Sequence, residues 1–258
     1  RLTAMTFDEL IQLAQAQELT GWDFSWLSSR TIEEPLPWDY RALVLERMHE
    51  HGQPRVKALL DMETGGGEFL SRLAPFPPIT WATEGYPPNL PLARARLEPL
   101  SIQVADISEN SERLPFEDDS FDLINNRHGD LNAGEIQRLL RAGGCFLTQQ
   151  VGGQNCMDLN RTLQDQVEHI YASWTLEKAI AQARQVGLHV LQAREVFPRW
   201  TFKDIAGIVF YLKAIPWQIE GFSVEESRPG LFRIQQEIER TGGYTVREHR
   251  FLLELTRD

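Results

Sequence analysis

The feature that most constrains this chain is an alternation that begins at Val56. Short apolar runs bounded by turn residues take turns with stretches of helical periodicity. VKALLDM (Val56 to Met62) comes first, TGGGE (Thr64 to Glu68) follows as a glycine turn, and a helix is expected to begin over Phe69 to Leu73. Further strands are read at ITWATEG (Ile79 to Gly85), SIQVADI (Ser101 to Ile107), SFDLINNRH (Ser120 to His128), GGCFLTQQVGG (Gly143 to Gly153) and LHVLQAREVF (Leu188 to Phe197). Helices are read at Asn89 to Leu97, Glu135 to Arg141, Leu176 to Val186, Phe202 to Leu212 and Val224 to Thr241. Strands alternating with helices call for a parallel sheet with crossover helices. The last run, YTVREHRFLLEL (Tyr244 to Leu255), alternates polar and apolar residues, as an antiparallel strand with unlike faces does. The expectation is an α/β, doubly wound, mainly parallel seven-stranded sheet with an antiparallel last strand.

Ahead of this pattern stand N-terminal helices. Phe7 to Gln17 has helical spacing and stops at Gly21; a loop with Trp22, Phe24, Trp26, Pro35 and Pro37 follows; Tyr40 to His51 is a second helix ending at Gly52. Residues 1–55 read as a helical cap and 56–258 as the main domain, with insertions around 155–222. A chain of 258 residues, 42% hydrophobic, suits one buried core with additions. The net charge of -11, spread along the chain, repels phosphate backbones, so nucleic acid is the less expected partner. The spacing of Cys145 and Cys156 fits no metal motif, and free thiols fit a reducing, cytoplasmic setting. No apolar run is long enough to span a bilayer, and the N-terminal pattern lacks a signal-peptide core.

The strongest site signal is LDMETGGGEF. Glycine lets backbone approach a ligand and adopt positive φ, and a helix N-terminus offers free N–H groups. A tight strand-to-helix turn has the same look. Two more acids sharpen the reading. Glu84 closes the second strand, where doubly wound folds place a carboxylate on ribose hydroxyls, and Asp106 closes the third, where it could accept from an adenine amino group. With Asp61, all three sit at the C-terminal ends of neighbouring parallel strands.

In order along the chain, LDMETGGGEF, ATEGYPP, ADISENSERLPFEDDSFDLINNRH and IQRLLRAGGCFLTQQVGG resemble the successive motifs of class I S-adenosylmethionine-dependent methyltransferases of the UbiE-like kind. LPFEDDSFDLI followed by LLRAGGCFL is the most specific part. The resemblance implies a Rossmann-like fold, S-adenosyl-L-methionine as cofactor, and a methyltransferase. It also implies roles: Asp61 and the backbone of Gly65 and Gly67 for the amino-acid end of the cofactor, Glu84 for ribose, and Asp106 with Ile107 for adenine. Asn126, Arg127 and His128 would face the reacting methyl. One residue departs from the pattern: Glu63 stands where the family often has glycine, and it could either contact the cofactor's ammonium group or crowd the pocket.

A general base is needed only for a hydroxyl or protonated amine acceptor, and His128, titrating near neutrality, is the first candidate. A loop histidine bonded to backbone is an equal reading of it, and His169, His189 and His249 read as structural or exposed. Trp22, Trp26, Trp38, Tyr171, Trp174, Trp200, Tyr211 and Trp217 supply aromatic surface for an acceptor pocket or for ordinary packing. Arg194, Arg199 and Lys203 form one basic cluster, and Arg247 and Arg250 another; an anionic substrate or plain solvation would explain either. The segments Trp22 to Tyr40 and Asn155 to Trp174 are expected to cover the methyl group, with Pro198 to Phe222 as the alternative. A small-molecule acceptor is the leading reading. An RNA methyltransferase and a non-catalytic S-adenosylmethionine-binding regulator remain open. A nicotinamide enzyme fits less well, since TGGG is not G-x-G-x-x-G.

Overall fold

The computed structural model describes residues 5–19 and 23–258. Gly21 and Trp22, expected to stop the first helix and to open the aromatic loop, lie outside the described residues. The described α-helices are α1 (Phe7–Ala16), α2 (Tyr40–Met48), α3 (Leu90–Leu97), α4 (Ala133–Leu139), α5 (Met157–Leu163), α6 (Leu176–Gln185), α7 (Ile205–Ala214) and α8 (Val224–Thr241). The chain divides into two compact units, each with its own core.

The first unit comprises Pro37–Val151, Thr175–Glu195 and Phe251–Asp258. Its sheet has seven strands: β1 (Ala58–Met62), β2 (Ile79–Glu84), β3 (Gln103–Asp106), β4 (Phe121–Arg127), β5 (Leu140–Val151), β6 (His189–Val196) and β7 (Arg250–Thr256), in the order β3-β2-β1-β4-β5-β7-β6. The pairs β2–β3, β1–β2, β1–β4 and β4–β5 are parallel. The last strand in sequence, β7, is antiparallel, so that Gly143 N–H donates to Arg257 O (2.7 Å) and Arg257 N–H to Gly144 O (3.2 Å). All five residues of β1 are buried, as a central parallel strand covered on both faces requires. Around it pack Val44, Met48, Leu59, Leu70, Leu73, Leu97, Ile102, Leu123, Leu147 and Leu252. Helix starts are capped by side chains: Asp39 accepts from Ala42 N–H, Asn132 from Glu135 N–H and Thr175 from Lys178 N–H.

Two expectations shorten here. The helix expected from Phe69 is a single 3₁₀ turn, Leu70–Arg72. Pro75, Pro77 and Pro78 follow closely and deny any longer helix its N–H donors. The second helix stops at Met48 rather than His51, because His49–Glu50 turns round Gly52 (φ 75°) to pair antiparallel with Gln53–Pro54.

The second unit comprises Arg1–Leu36, Gly152–Trp174 and Val196–Arg250. It contains a three-stranded antiparallel sheet, Thr31–Glu33, Arg199–Phe202 and Tyr244–Arg247 in that order. Helix α7 has nine of its ten residues buried, as an all-round apolar helix must. It packs with residues of α1, α5 and α8, among them Leu10, Leu159 and Ile234. Helix α1 begins with a capping box between Thr6 and Glu9. The helix expected from Phe202 starts at Ile205, capped by Asp204 accepting from Gly207 N–H (2.9 Å), because Trp200 and Phe202 belong to a strand. The run Tyr244 to Leu255 is two strands, one in each sheet, parted at Glu248 and His249. His249 is buried, stacks on Phe197 at 4.5 Å and accepts from Gln154 N–H, which is a structural role. A Cβ on Gly152 would lie 2.2 Å from its ring, so this position requires glycine. Both cysteines are free thiols. Among the described residues no helix is long and apolar enough to cross a membrane.

One ion pair of the first unit sets a buried carboxylate against a partly exposed guanidinium. Arg47 of α2 donates from Nε and Nη2 to Glu254 of β7, which also accepts from Cys145 Sγ (3.3 Å). Glu254 is 1% exposed, so losing its partner strands a charge in the core. Arg47→Met should therefore destabilise the protein by about 3 kcal/mol, and Arg47→Met with Glu254→Leu should recover most of that. The midpoint of urea unfolding checks both.

Candidate functional site

From β1 the chain builds β2 and then β3 on one side, then returns to place β4 on the other side of β1. Strand order reverses there, and in doubly wound sheets such a reversal is where a ligand crevice lies, outside the carboxyl ends of the two strands. The register brings Asp61 level with Asn125 and Met62 with Asn126, while Glu84 of β2 stands level with Asp106 of β3. The structure thus gathers Asp61, Glu63, Gly65, Gly67, Glu84, Asp106, Ile107, Asn126, Arg127 and His128 along one edge of one sheet, as the ends of β1 to β4 and the turns that follow them.

Asp61 is 2% exposed. Its carboxylate accepts from the Thr64 hydroxyl (2.6 Å) and from the Asn125 amide. Burial nevertheless pushes its pKa up to about 7, against the lowering by those two bonds and by the Arg127 guanidinium. Glu63 follows with φ 55°, Gly65 with φ 64° and Gly67 with φ 79°. At Gly67 a Cβ would also meet Leu97 at 2.8 Å, so both the turn and its packing on α3 need glycine there. The turn is tied to β2: Glu63 N–H donates to the Thr83 hydroxyl (3.0 Å) and Thr64 N–H to Thr83 O (2.8 Å). Across the crevice, Glu63 Oε2 accepts from Asp130 N–H (3.2 Å). Burial first, then the Asp130 charge, push Glu63 up to about 7. Glu84 is buried, accepts from Tyr86 N–H (2.7 Å), and is raised by burial. Asp106 is exposed, and the Ser108 hydroxyl and N–H hold it below the usual carboxylate range. Ile107 is buried and donates its N–H to Glu84 O (3.1 Å).

Asn126 is fully buried, and its contacts brace the turn after β4. Its carbonyl oxygen accepts from Gly129 N–H, Thr148 and Gln150, and its amide donates to Asp130 O. Arg127 is exposed, with its guanidinium over the Phe69 ring at 5.4 Å. His128 is exposed with φ 68°, and its Nε2 lies 2.9 Å from Gln149 Nε2. Gln149 Oε1 accepts from Trp38 Nε1 (2.9 Å). An indole nitrogen only donates, which fixes the Gln149 amide with its NH₂ toward His128. His128 Nε2 therefore accepts, and its proton sits on Nδ1. To act as a base through Nε2, His128 would have to give up this bond. Sequence reasoning named neither Thr64, Asn125 and Asp130, which hold the acids, nor Trp38 and Gln149 as the pair that sets the His128 tautomer. The one signal available was polar residues inside an otherwise buried run, as in LINNR and LTQQV.

A nucleoside with a cationic amino-acid tail asks for acceptors for its hydroxyls, backbone open to close approach, and negative charge. Glu84 supplies the first, with Asp106 a further acceptor for the base, Gly65 and Gly67 the second, and the buried carboxylate of Asp61 with the partly exposed one of Glu63 the third. The donor set fits such a cofactor. A pyrophosphate would meet buried carboxylates at the same turn, which disfavours a dinucleotide.

No family model matches the chain, and no curated protein matches it in sequence. Solved structures do match. A functionally unknown protein from Deinococcus radiodurans R1 superposes with a TM-score of 0.58 over 88% of this chain and 91% of its own, at 18% identity. A proposed methyltransferase from Bacillus halodurans C-125 gives 0.57 over 84% and 98%, at 17% identity. A (4+2) cyclase, SpnF, gives 0.53 over 84% and 79%, also at 17% identity. What these likenesses show is a shared fold, a Rossmann-like, mainly parallel sheet flanked by helices.

The raised carboxyls have a consequence for stability. Asp61 goes from 3.8 to about 7, so between those values the folded protein holds a proton that the unfolded chain has released. Its contribution therefore weakens the fold as pH rises from about 4 to 7 and is level above that. Asp61→Asn should flatten the decline of the unliganded protein's unfolding free energy between pH 5 and 8. Denaturant titrations at several pH values read the slope, whatever the level.

Proposed function

We propose that this chain is an S-adenosylmethionine-dependent methyltransferase acting on a small-molecule acceptor. The observation that carries the reading is the acidic glycine turn at the strand-order reversal, between Asp61 at the end of β1 and Asn126 at the end of β4. A doubly wound sheet binds nucleosides at such a point, and these carboxylates select a positively charged one. The cofactor, when bound, supplies an electrophilic methyl on a sulfonium and its own leaving group. The protein's work is to bind, orient and exclude water. Glu84 accepts from ribose, Asp106 and Ile107 receive the adenine, and Asp61 with the Gly65–Gly67 backbone frames the amino-acid end. Asn126 fixes the turn that carries Arg127 and His128 toward the acceptor. His128 keeps the role of candidate base for acceptors that need one.

Acceptor choice is assigned to the N-terminal residues 1–55 and to the region around 155–222 apart from its strand β6. The net charge of -11 supports a small molecule over RNA. The turnover-free reading, a cofactor-binding regulator, draws support from one observation, the engagement of His128 by Gln149.

S-adenosylmethionine should raise the melting temperature, while NAD and ATP should not. Glu84→Gln keeps an acceptor for Tyr86 N–H and should weaken S-adenosylmethionine binding by about 1–2 kcal/mol, through loss of charge-assisted bonds to ribose. Gly65→Val should do worse, since a β-branched residue resists positive φ and blocks close approach. Calorimetry checks both, and unchanged affinity in Glu84→Gln would remove that residue from the site.

A further inference from the structure

We infer that Glu63 receives the ammonium end of the cofactor and so determines specificity for a nucleoside that carries an amino-acid tail. The inference rests on the cofactor reading above and names one more residue of that site. The acid at the end of β1 is not free for the task. Both oxygens of Asp61 are engaged, one by the Thr64 hydroxyl and one by the Asn125 amide, and the residue is 2% exposed. Glu84 lies at the end of the neighbouring strand with its own ties to the turn that follows it.

Glu63 differs on each count. It is partly exposed, on the glycine turn itself, between Asp61 and Gly65. One carboxylate oxygen, Oε2, holds Asp130 N–H across the crevice at 3.2 Å, and Oε1 carries no hydrogen bond among the described residues. Gly129 has no room for a side chain here: a Cβ would stand 2.9 Å from both Glu63 Cβ and Oε2, so the turn after β4 is shaped to lie against this residue. The backbone of Glu63 is in the left-handed region at φ 55°, where glycine would sit without strain. The charged groups that bear on it are acids, Asp130 from the turn after β4 and Glu84 from β2. On its own element Asp61 is a third acid, and the Arg127 guanidinium acts on Asp61. A carboxylate with one oxygen open and acids for neighbours gains most from a bound cation. Three N–H donors on an ammonium group answer that need. Burial and the Asp130 charge also place its proton release near pH 7, so the cation and the proton compete for it.

The experiment is calorimetry with two probes that share the adenosine and the thioether sulfur. S-adenosylhomocysteine has the ammonium group, and 5′-methylthioadenosine lacks the whole amino-acid end. The variant is Glu63→Gln, which keeps an oxygen for Asp130 N–H and removes the charge, with its thermal unfolding measured alongside. The expected result is a loss of about ten- to thirty-fold in affinity for S-adenosylhomocysteine, the scale of a charge-assisted hydrogen bond, and less than about two-fold for 5′-methylthioadenosine. In the native protein S-adenosylhomocysteine should bind more tightly as pH rises from 6 to 8, and Glu63→Gln should lessen that gain. Equal losses on both probes would show that Glu63 shapes the turn only, and no loss on either would remove it from the site; both overturn the inference. If the native protein binds neither probe, the cofactor reading itself falls, and the inference with it.

Discussion

Two neighbouring strands whose connections leave in opposite directions cannot cover their own shared end. In this protein those strands are β1 and β4, and everything assigned to function follows from what fills the gap. Parallel pairing sets Asp61 level with Asn125, close enough for the amide to hold the carboxylate. The next three residues turn back onto β2 through Thr83, and Glu63 reaches over to the turn after β4. That turn is itself braced by Asn126, which collects bonds from Thr148 and Gln150 of β5. Four strands thus fix the geometry of this edge by hydrogen bonds within the protein. An edge held in this way loses little affinity to reordering when a ligand binds.

The same arrangement is costly for the fold. A carboxylate taken out of water shifts its pKa upward unless its bonds offset the desolvation, and at Asp61 two hydrogen bonds and a nearby guanidinium do not fully offset it. Glu63 and Glu84 shift in the same direction. At the opposite end of β1 the balance differs: Asp122, which accepts from Lys57 and Ala58 N–H and from Arg141, is lowered. Three of the raised carboxyls, Asp61, Glu63 and Glu84, thus gather at the carboxyl edge of the sheet. Shifted carboxyls that cluster in one place are the pattern that binding sites show.

The sheet was legible because burial on both faces favours apolar runs, and ALLDM, ITWATE and FDLINNR each carry an apolar stretch that gives way to polar residues toward the strand end. The acids at their ends were legible because strand ends are where polarity returns. The glycine turn was legible in composition, and its helix was not. The proline series after Leu73 limits it to one 3₁₀ turn, and a reading of apolar spacing weighs proline too lightly. The partners of the site acids were hidden, because a hydrogen bond between Asp61 and Asn125 depends on pairing two strands 64 residues apart. The His128 tautomer was hidden for the same reason, since Trp38 acts on it through Gln149, 111 residues away.

The second unit was the least legible part, and its composition explains why. Its core is drawn from three separated stretches, so no single stretch carries a complete hydrophobic pattern. YTVREHRFLLEL looked like one strand because alternation continues through Glu248 and His249, whereas His249 turns inward to stack on Phe197 and the chain changes sheets. Helix α7 gives the clearest case. With nine of ten residues buried it has no solvent face, so it must be surrounded, and its partners come from α1 near the start of the chain and α8 near the end. Closing loops of that length costs entropy that grows only slowly with length, while an exposed all-apolar helix would cost far more through the surface left in water. The long-range assembly of this unit is thus fixed by the helix that can least tolerate being alone.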